Sequence, residues 1–301
     1  MPDPVRVEIS ARTDRGLKRK TNEDAYLVFR TGRFLQRVQS SVDESDLESR
    51  YDVAGHIMAV ADGMGGAAAG EVASRGALIE AFRLILRSPK WLLSLDDPET
   101  REHEIRGLFE RMRGYVTGVH AALLKQSKAD PSVAGMGTTL TVVYSLGLDL
   151  FVAHVGDSRA YLFRDGKLSH VTRDHTLAQR LAETGQISPE EAEKHPSRHV
   201  LTHVVGGSGG AFGGDMYHLP LKMGDAVVVC TDGLTGQVRD EEIAEVLSAA
   251  ASCDDACDVL VAKTLERGAP DNVTVIVARY SAEETGGDPV VGGETSARAG
   301  A

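Results

Sequence analysis

Residues 138–172 read TTLTVVYSLGLDLFVAHVGDSRAYLFRDGKLSHVT, and the fold class turns on them. TTLTVVYS, DLFVAHV, RAYLFR and KLSHVT are short runs rich in β-branched and aromatic residues, joined by links too tight to hold a helix. SLGLD and RDGK are good hairpin connectors, the Asp165–Gly166 pair especially. The four runs predict an antiparallel meander. Downstream, DAVVVCT and NVTVIVARY supply two more strands, with helices at about 240–250 and 254–267 between them.

Upstream, RVEISARTD alternates and reads as an opening strand, and DAYLVFR follows as its neighbour. Residues 30–53 are polar and charged, which predicts a surface loop or hairpin excursion. The apolar run Ile57–Ala61 is a strand that ends abruptly at Asp62. Between Ala67 and Leu86, the residues Val72, Gly76, Ile79, Phe82 and Leu86 recur at helical spacing. A second helix carries Ile105, Leu108, Phe109, Met112, Val116, Val119 and Leu123 on one face. Both helices are amphipathic, so each must cover something apolar. The order strands, helices, strands, helices, strand is no βαβ repeat, which favours α+β over a doubly wound parallel sheet.

Composition bounds the function. At 301 residues, 42% of them hydrophobic, the chain suits one large domain or two ordinary ones with a sizeable core. No stretch approaches the roughly 18 uninterrupted apolar residues of a membrane span, and MPDPVRVEIS has neither a basic start nor an apolar signal core. With Cys230, Cys253 and Cys257 the only cysteines, a disulfide framework is disfavoured and a reducing cytoplasm is expected. Cys253 and Cys257 lie one helical turn apart without a nearby His or second Cys pair, so they read as packing residues rather than zinc ligands. A net charge of −11 disfavours nucleic acid as a partner and suits a protein that gathers carboxylates around cations. The tail from about 282 lacks periodicity and core formers and reads as disordered.

The carboxylates carry the chemistry. Asp62, Asp157 and Asp232 follow strands, while Asp24 and Asp271 precede them; several adjoin Gly or Asn. A single Asp-Gly is ordinarily a turn. Several acids at strand ends can instead gather at one rim, where they repel one another unless cations neutralise them. Oxygen-only ligation suits hard ions such as Mg²⁺ or Mn²⁺.

GLKRKTNEDAY, ADGMGGAAAGEVAS, GMGTTLTVV, HVGDSRAYLFRDGKL, CTDGL and PDNVTVIVA stand in the order seen in metal-dependent type 2C serine/threonine protein phosphatases (the PPM family). The chain resembles the bacterial branch most closely, over roughly residues 5 to 280. The resemblance implies an αββα fold, a sandwich of two antiparallel sheets flanked by helices on both sides, within a phosphatase domain spanning 1–281. It also implies that Asp62 bridges two Mn²⁺ or Mg²⁺ ions, with the Gly63 carbonyl on one and Asp232 and Asp271 on the other. Glu23 and Asp24 would hold metal-bound waters, and Arg19 would bind phosphate with its planar donor fork. Water or hydroxide activated between the ions would then attack phosphorus, no enzyme side chain becoming phosphorylated. Asp157 is expected at a third, weaker metal. His199 falls where some relatives carry a serine ligand for that ion. Met64 replaces the histidine by which eukaryotic relatives are thought to protonate the leaving alkoxide, which makes a metal-bound water the favoured acid and leaves His195, His199 and His203 as weak candidates.

Other residues read more plainly. Lys18 and Lys20 are solvated charge. Thr138 and Thr139 lack a P-loop lysine and belong to the core. GGAAAG is no dinucleotide fingerprint. Ser158 is a turn residue, and Arg159 anchors that turn. The segment 174–220 is the flap expected to choose substrates. Phosphorylated proteins are the implied partners, whether the substrates of a bacterial-type Ser/Thr kinase or the kinase itself. The competing readings are an inactive regulatory module, and a phosphatase of small phosphomonoesters or phosphotyrosine.

Overall fold

The computed structural model describes residues 5–36, 50–65, 67–87, 95, 97–207 and 212–282. Two antiparallel sheets form its centre. The five-stranded sheet contains β1 (Val5–Asp14), β7 (Arg159–Arg164), β8 (Lys167–His170), β11 (Ala226–Cys230) and β12 (Val273–Ala282), in the order β1-β12-β11-β7-β8. The seven-stranded sheet contains β2 (Asp24–Gln36), β3 (Arg50–Met64), β4 (Gly137–Thr138), β5 (Leu140–Leu146), β6 (Asp149–Val155), β9 (Val205–Gly206) and β10 (Asp215–Pro220). In it β10, β6, β5 and β3 follow one another, β2 pairs with β3, and β4 and β9 extend the end of β3.

Strand β3 shows why the sheets stack. Met58 and Val60 point between the sheets, where they meet Val143, Val152, Val227, Val229, Ile276 and Ala278. The alternate residues Ile57, Ala59 and Ala61 face α1 (Ala67–Arg87) and α2 (Pro98–Ala129). The five-stranded sheet repeats the pattern: Val228, Cys230, Val275 and Val277 face α6 (Asp240–Ala249) and α7 (Cys253–Glu266). Strands covered on both faces are apolar throughout instead of alternating with polar residues. The α+β sandwich is therefore the observed fold. Among the described residues no helix is long and apolar enough to cross a membrane.

Four expectations need adjustment. β1 and β2 are not sheet neighbours: β1 pairs with β12 and β2 with β3, in different sheets. The meander is two hairpins in different sheets. β5 pairs with β6 and β7 with β8, but β6 does not pair with β7. The chain changes sheets at Gly156–Asp157–Ser158, a tight link that looks like another hairpin turn in the sequence. Of the two readings of residues 30–53, the hairpin excursion is the one seen. β2 runs to Gln36, and β3 begins at Arg50 directly opposite it; residues 37–49 lie outside the described residues. In α1 the buried stripe is Ala69, Ala73, Ala77 and Ala81 with Leu78, whereas Ile79 is 50% and Leu86 65% exposed. Small side chains let this helix lie close to the sheet, so its larger apolar residues are carried outward.

The expected flap at 174–220 is only partly separate from the sandwich. It holds α3 (Leu177–Glu183) and α4 (Pro189–Lys194), but its last residues form the edge strand β10 against β6. Thr176 pairs with Leu201, which closes the base of the α3–α4 excursion. Cys253 and Cys257 are buried, and their thiols donate to the Glu8 and Ser10 carbonyls, as packing residues do. The tail from 283 lies outside the described residues.

Candidate metal centre

The acids singled out in the sequence come together at one end of the sandwich. Asp24 opens β2 directly opposite Asp62 near the end of β3. Asp232 begins the short helix α5 (Asp232–Thr235) after β11, and Asp271 stands two residues before β12. Asp157 occupies the change of sheet between β6 and β7. Asp24 and Asp62 thus come from one sheet and Asp232 and Asp271 from the other.

Neighbouring residues fix these positions. Asp62 is held through its backbone: its amide donates to the Thr139 hydroxyl at 2.9 Å, and its carbonyl accepts from the Thr139 amide and the Thr138 hydroxyl. Thr139 also meets the Ser158 hydroxyl at 2.8 Å, which ties the Asp157 turn to the same anchor. Thr138, Thr139 and Ser158 are buried, and their contacts are those of core and turn residues. Arg159 makes a two-pronged pair with Asp174, at 2.9 and 2.8 Å, and also donates to the Tyr161 hydroxyl. Gly63 packs on Gly70 of α1, where a Cβ on Gly70 would stand 2.5 Å from the Glu23 carboxylate and 2.9 Å from the Gly63 carbonyl. Two groups expected at the metals therefore share space that only a glycine leaves open.

Sequence reasoning missed Asn272. Its amide nitrogen donates to the Arg15 and Thr21 carbonyls, and its amide oxygen accepts from the Glu23 amide at 2.8 Å. It thereby staples the loop carrying Arg19 and Glu23 to the start of β12. An asparagine beside an aspartate ahead of a strand was the available signal.

The electrostatics are those of crowded acids. Asp24 is buried. One of its oxygens accepts from Thr231 and Thr274 at 2.8 and 2.7 Å, while the other has no partner among the described residues. Burial, with Asp232 and Asp271 adding to it, pushes its pKa up to about 7 against those hydrogen bonds. Burial also holds Asp62 well above the ordinary aspartate range, reinforced by Asp24, Asp232, Asp157 and Asp271. Asp157 is raised by burial and then by Asp232 and Asp174. Burial raises Glu23 as well. Charge repulsion of this kind is relieved by cations.

One protein cation relieves part of it: Arg19 pairs with Asp271 at 2.7 Å. The His199 ring stands 3.5 Å from Asp232. Arg19, Glu23, Asp62, Gly63, Asp157, His199, Asp232 and Asp271 line one cavity of about 670 Å³, with Asp24 behind its wall. Among the described residues no three His, Cys, Asp or Glu side chains converge closely enough to hold an ion by themselves. The donor set nevertheless fits hard divalent ions. It is carboxylate and carbonyl oxygen, its charges repel one another, and the buried Asp24 oxygen lacks a partner. Of the three histidines weighed as proton donors, only His199 reaches the cavity.

Comparison with known proteins agrees with this geometry. The family model described as Protein phosphatase 2C matches residues 38–267. The chain is 36% identical over 269 residues to the serine/threonine protein phosphatase PstP of Mycobacterium tuberculosis, covering 89% of this chain but only 44% of that protein. It is 32% identical over 282 residues to the serine/threonine phosphatase stp of Listeria welshimeri, covering 92% of this chain and 97% of that one. The crystal structure of the PstP catalytic domain in complex with two manganese ions matches with a TM-score of 0.69 at 32% identity, over 92% of this chain and 99% of that one. The chain spans less than half the length of its mycobacterial relative. Sandwich, rim of acids and sequence match agree: the chain belongs to the protein phosphatase 2C family.

Proposed function

We propose that residues 1–281 form a phosphatase domain that hydrolyses phosphoserine and phosphothreonine in proteins, in the cytoplasm, using Mn²⁺ or Mg²⁺. The observation that carries the reading is the set of mutually repelling carboxylates around one cavity, with Arg19 at its edge. The names of the mycobacterial and listerial relatives and the manganese in the PstP structure support it. The phosphoproteins opposed would be products of a bacterial-type Ser/Thr kinase, or the kinase itself.

Asp62 would lie between two ions, joined by the Gly63 carbonyl, Asp232 and Asp271; Glu23 and Asp24 would act through water, and Asp157 would hold a third, weaker ion. Bound there, the ions would supply an acidified water as nucleophile and positive charge for the phosphate oxygens. The protein's own part is positioning. Thr138 and Thr139 fix the backbone of Asp62. Asn272 fixes the loop that presents Arg19. Arg19 offers the phosphate a planar fork, which its pair with Asp271 holds at the cavity edge. Met64 has no proton to give the leaving alkoxide. His199 is the one histidine of the excursion within reach of the cavity.

The test uses the purified chain with phosphoserine, phosphothreonine and phosphotyrosine peptides, before and after EDTA and with Mn²⁺ or Mg²⁺ restored. Hydrolysis of the first two that EDTA abolishes and either ion restores is expected. Full activity in demetallated protein would overturn the metal mechanism. Preference for phosphotyrosine or small phosphomonoesters would move the substrate class, and inactivity with every metal would favour a regulatory module.

A further inference from the structure

Groups of opposite charge line the cavity and differ in burial. Asp62, Asp157 and Asp232 are buried or half-buried there, while Lys18, Lys20 and Arg198 also line it. These cations come from separate places, the β1–β2 loop and the segment after α4. All three are exposed. None has an acidic partner within 4 Å among the described residues, unlike Arg19 with Asp271. Three cations on the access to an acid centre are notable in a chain of net charge −11. The cavity, at about 670 Å³, also has room for more than one phosphorylated side chain.

Resting on the phosphatase reading above, we infer that Lys18, Lys20 and Arg198 select phosphorylated segments carrying a second anionic group within one or two residues of the scissile phosphate. One phosphate would be committed to Arg19 and the acid centre. A neighbouring anion, a few ångströms along an extended peptide, would be left to the three basic side chains. Such long-range attraction acts on encounter and binding more than on chemistry, so it belongs in KM. The anion has two possible sources, an acidic side chain or a second phosphate, and the rim recognises the charge they share.

The experiment uses the full chain with Mn²⁺ and one phosphothreonine peptide in four versions, with neighbours Ala, Glu, Lys or a second phosphothreonine. The Glu and doubly phosphorylated peptides should exceed the Ala peptide by about tenfold in kcat/KM, the combined effect of three exposed charge pairs, and the Lys peptide should fall below it. The gain should lie in KM and shrink as salt is raised. In K18S/K20S/R198S, checked by its melting temperature, the ranking should flatten while p-nitrophenyl phosphate turnover stays within about twofold. A gain confined to the doubly phosphorylated peptide would still support the inference and identify the second group as phosphate. A flat ranking in the unmodified chain, or a ranking that survives the triple substitution, would overturn it and leave the phosphatase reading intact. Failure to hydrolyse any peptide would overturn both.

Discussion

Asp24 shows how much of the centre is decided by single side chains. Its carboxyl, with a pKa near 7, binds a proton in the folded state that it has lost in the unfolded one, where aspartate titrates at about 3.9. The metal-free fold should therefore lose stability as pH rises toward and through 7, and Asp62 and Asp157 push in the same direction. His154 opposes this at lower pH: burial takes its pKa down to about 4, so its contribution grows until the unfolded histidine has titrated near 6.5. His56, His120 and His175, whose pKa values burial also lowers, act as His154 does and still contribute above pH 6.5, so the Asp24 part is read from the difference between the unmodified chain and Asp24→Asn. In EDTA, that difference in thermal unfolding should fall by about 1 kcal/mol between pH 6.5 and 8, and saturating Mn²⁺ should remove the fall. A difference that does not change with pH in EDTA would contradict the crowding. Arg19 and Asp62 should separate by role. Arg19→Ala should keep the metals in calorimetric titration but lower kcat/KM about 10²-fold, typical of a lost transition-state donor, whereas Asp62→Asn should cripple metal binding itself. Normal turnover with both ions in Asp62→Asn would reverse the assignment.

Helix α1 and the β4–β5 break decide how those side chains are held. Ala73 is fully buried against the sheet while Ile79 is half exposed. Ala73→Leu should thus cost about 1–3 kcal/mol by overpacking, and Ile79→Ala less than about 0.5 kcal/mol, measured by urea unfolding. The opposite order would restore the helix face read from Val72, Ile79 and Leu86. Between β4 and β5, Thr139→Val would leave the Asp62 amide without its acceptor, at a cost of about 1–3 kcal/mol. It should also weaken Mn²⁺ binding, because Thr139 holds the backbone of Asp62, the residue proposed to lie at the ions.

For the whole molecule, the centre lies where two sheets meet. An ion bound only by the folded state stabilises it by about 2.7 kcal/mol at a hundredfold excess over Kd. Saturating Mn²⁺ should accordingly raise the melting temperature by roughly 5–10 °C, and Asp62→Asn and Asp271→Asn should each lose most of that rise although they belong to different sheets. Loss from only one of them would show the ions to be held by one sheet. This architecture was partly legible in the sequence. The Asp165–Gly166 hairpin was readable because its turn chemistry is local: both residues have positive φ, 52° and 76°. The acids were readable because each sits at the end of an apolar run, and Asp62, Asp157, Asp232 and Asp271 adjoin Gly or Asn there. The change of sheet at Asp157 was not, since a tight link is the same string whether the next strand pairs with the last or departs from it. The alanine stripe of α1 was hidden because alanine scarcely registers in an apolar periodicity. Asn272 was hidden because its three partners lie far away along the chain, from Arg15 to Glu23.

The pairing of β1 with β12 has a consequence for how the fold comes into being. Among the described residues β1 is the first strand and lies at a sheet edge, where its one neighbour is β12, the last of them; Thr13 and Thr274 touch across 261 positions. Asp271 and Asn272 arrive with that last strand. On the ribosome, then, the growing chain holds an opening strand without this mate and an acid cluster short of a member until β12 has been made. Closing so long a loop is slow, and the early strand waits exposed in the meantime. The same arrangement is a safeguard, because a product of translation interrupted before Asp271 lacks one member of the acid cluster and the strand that mates with β1.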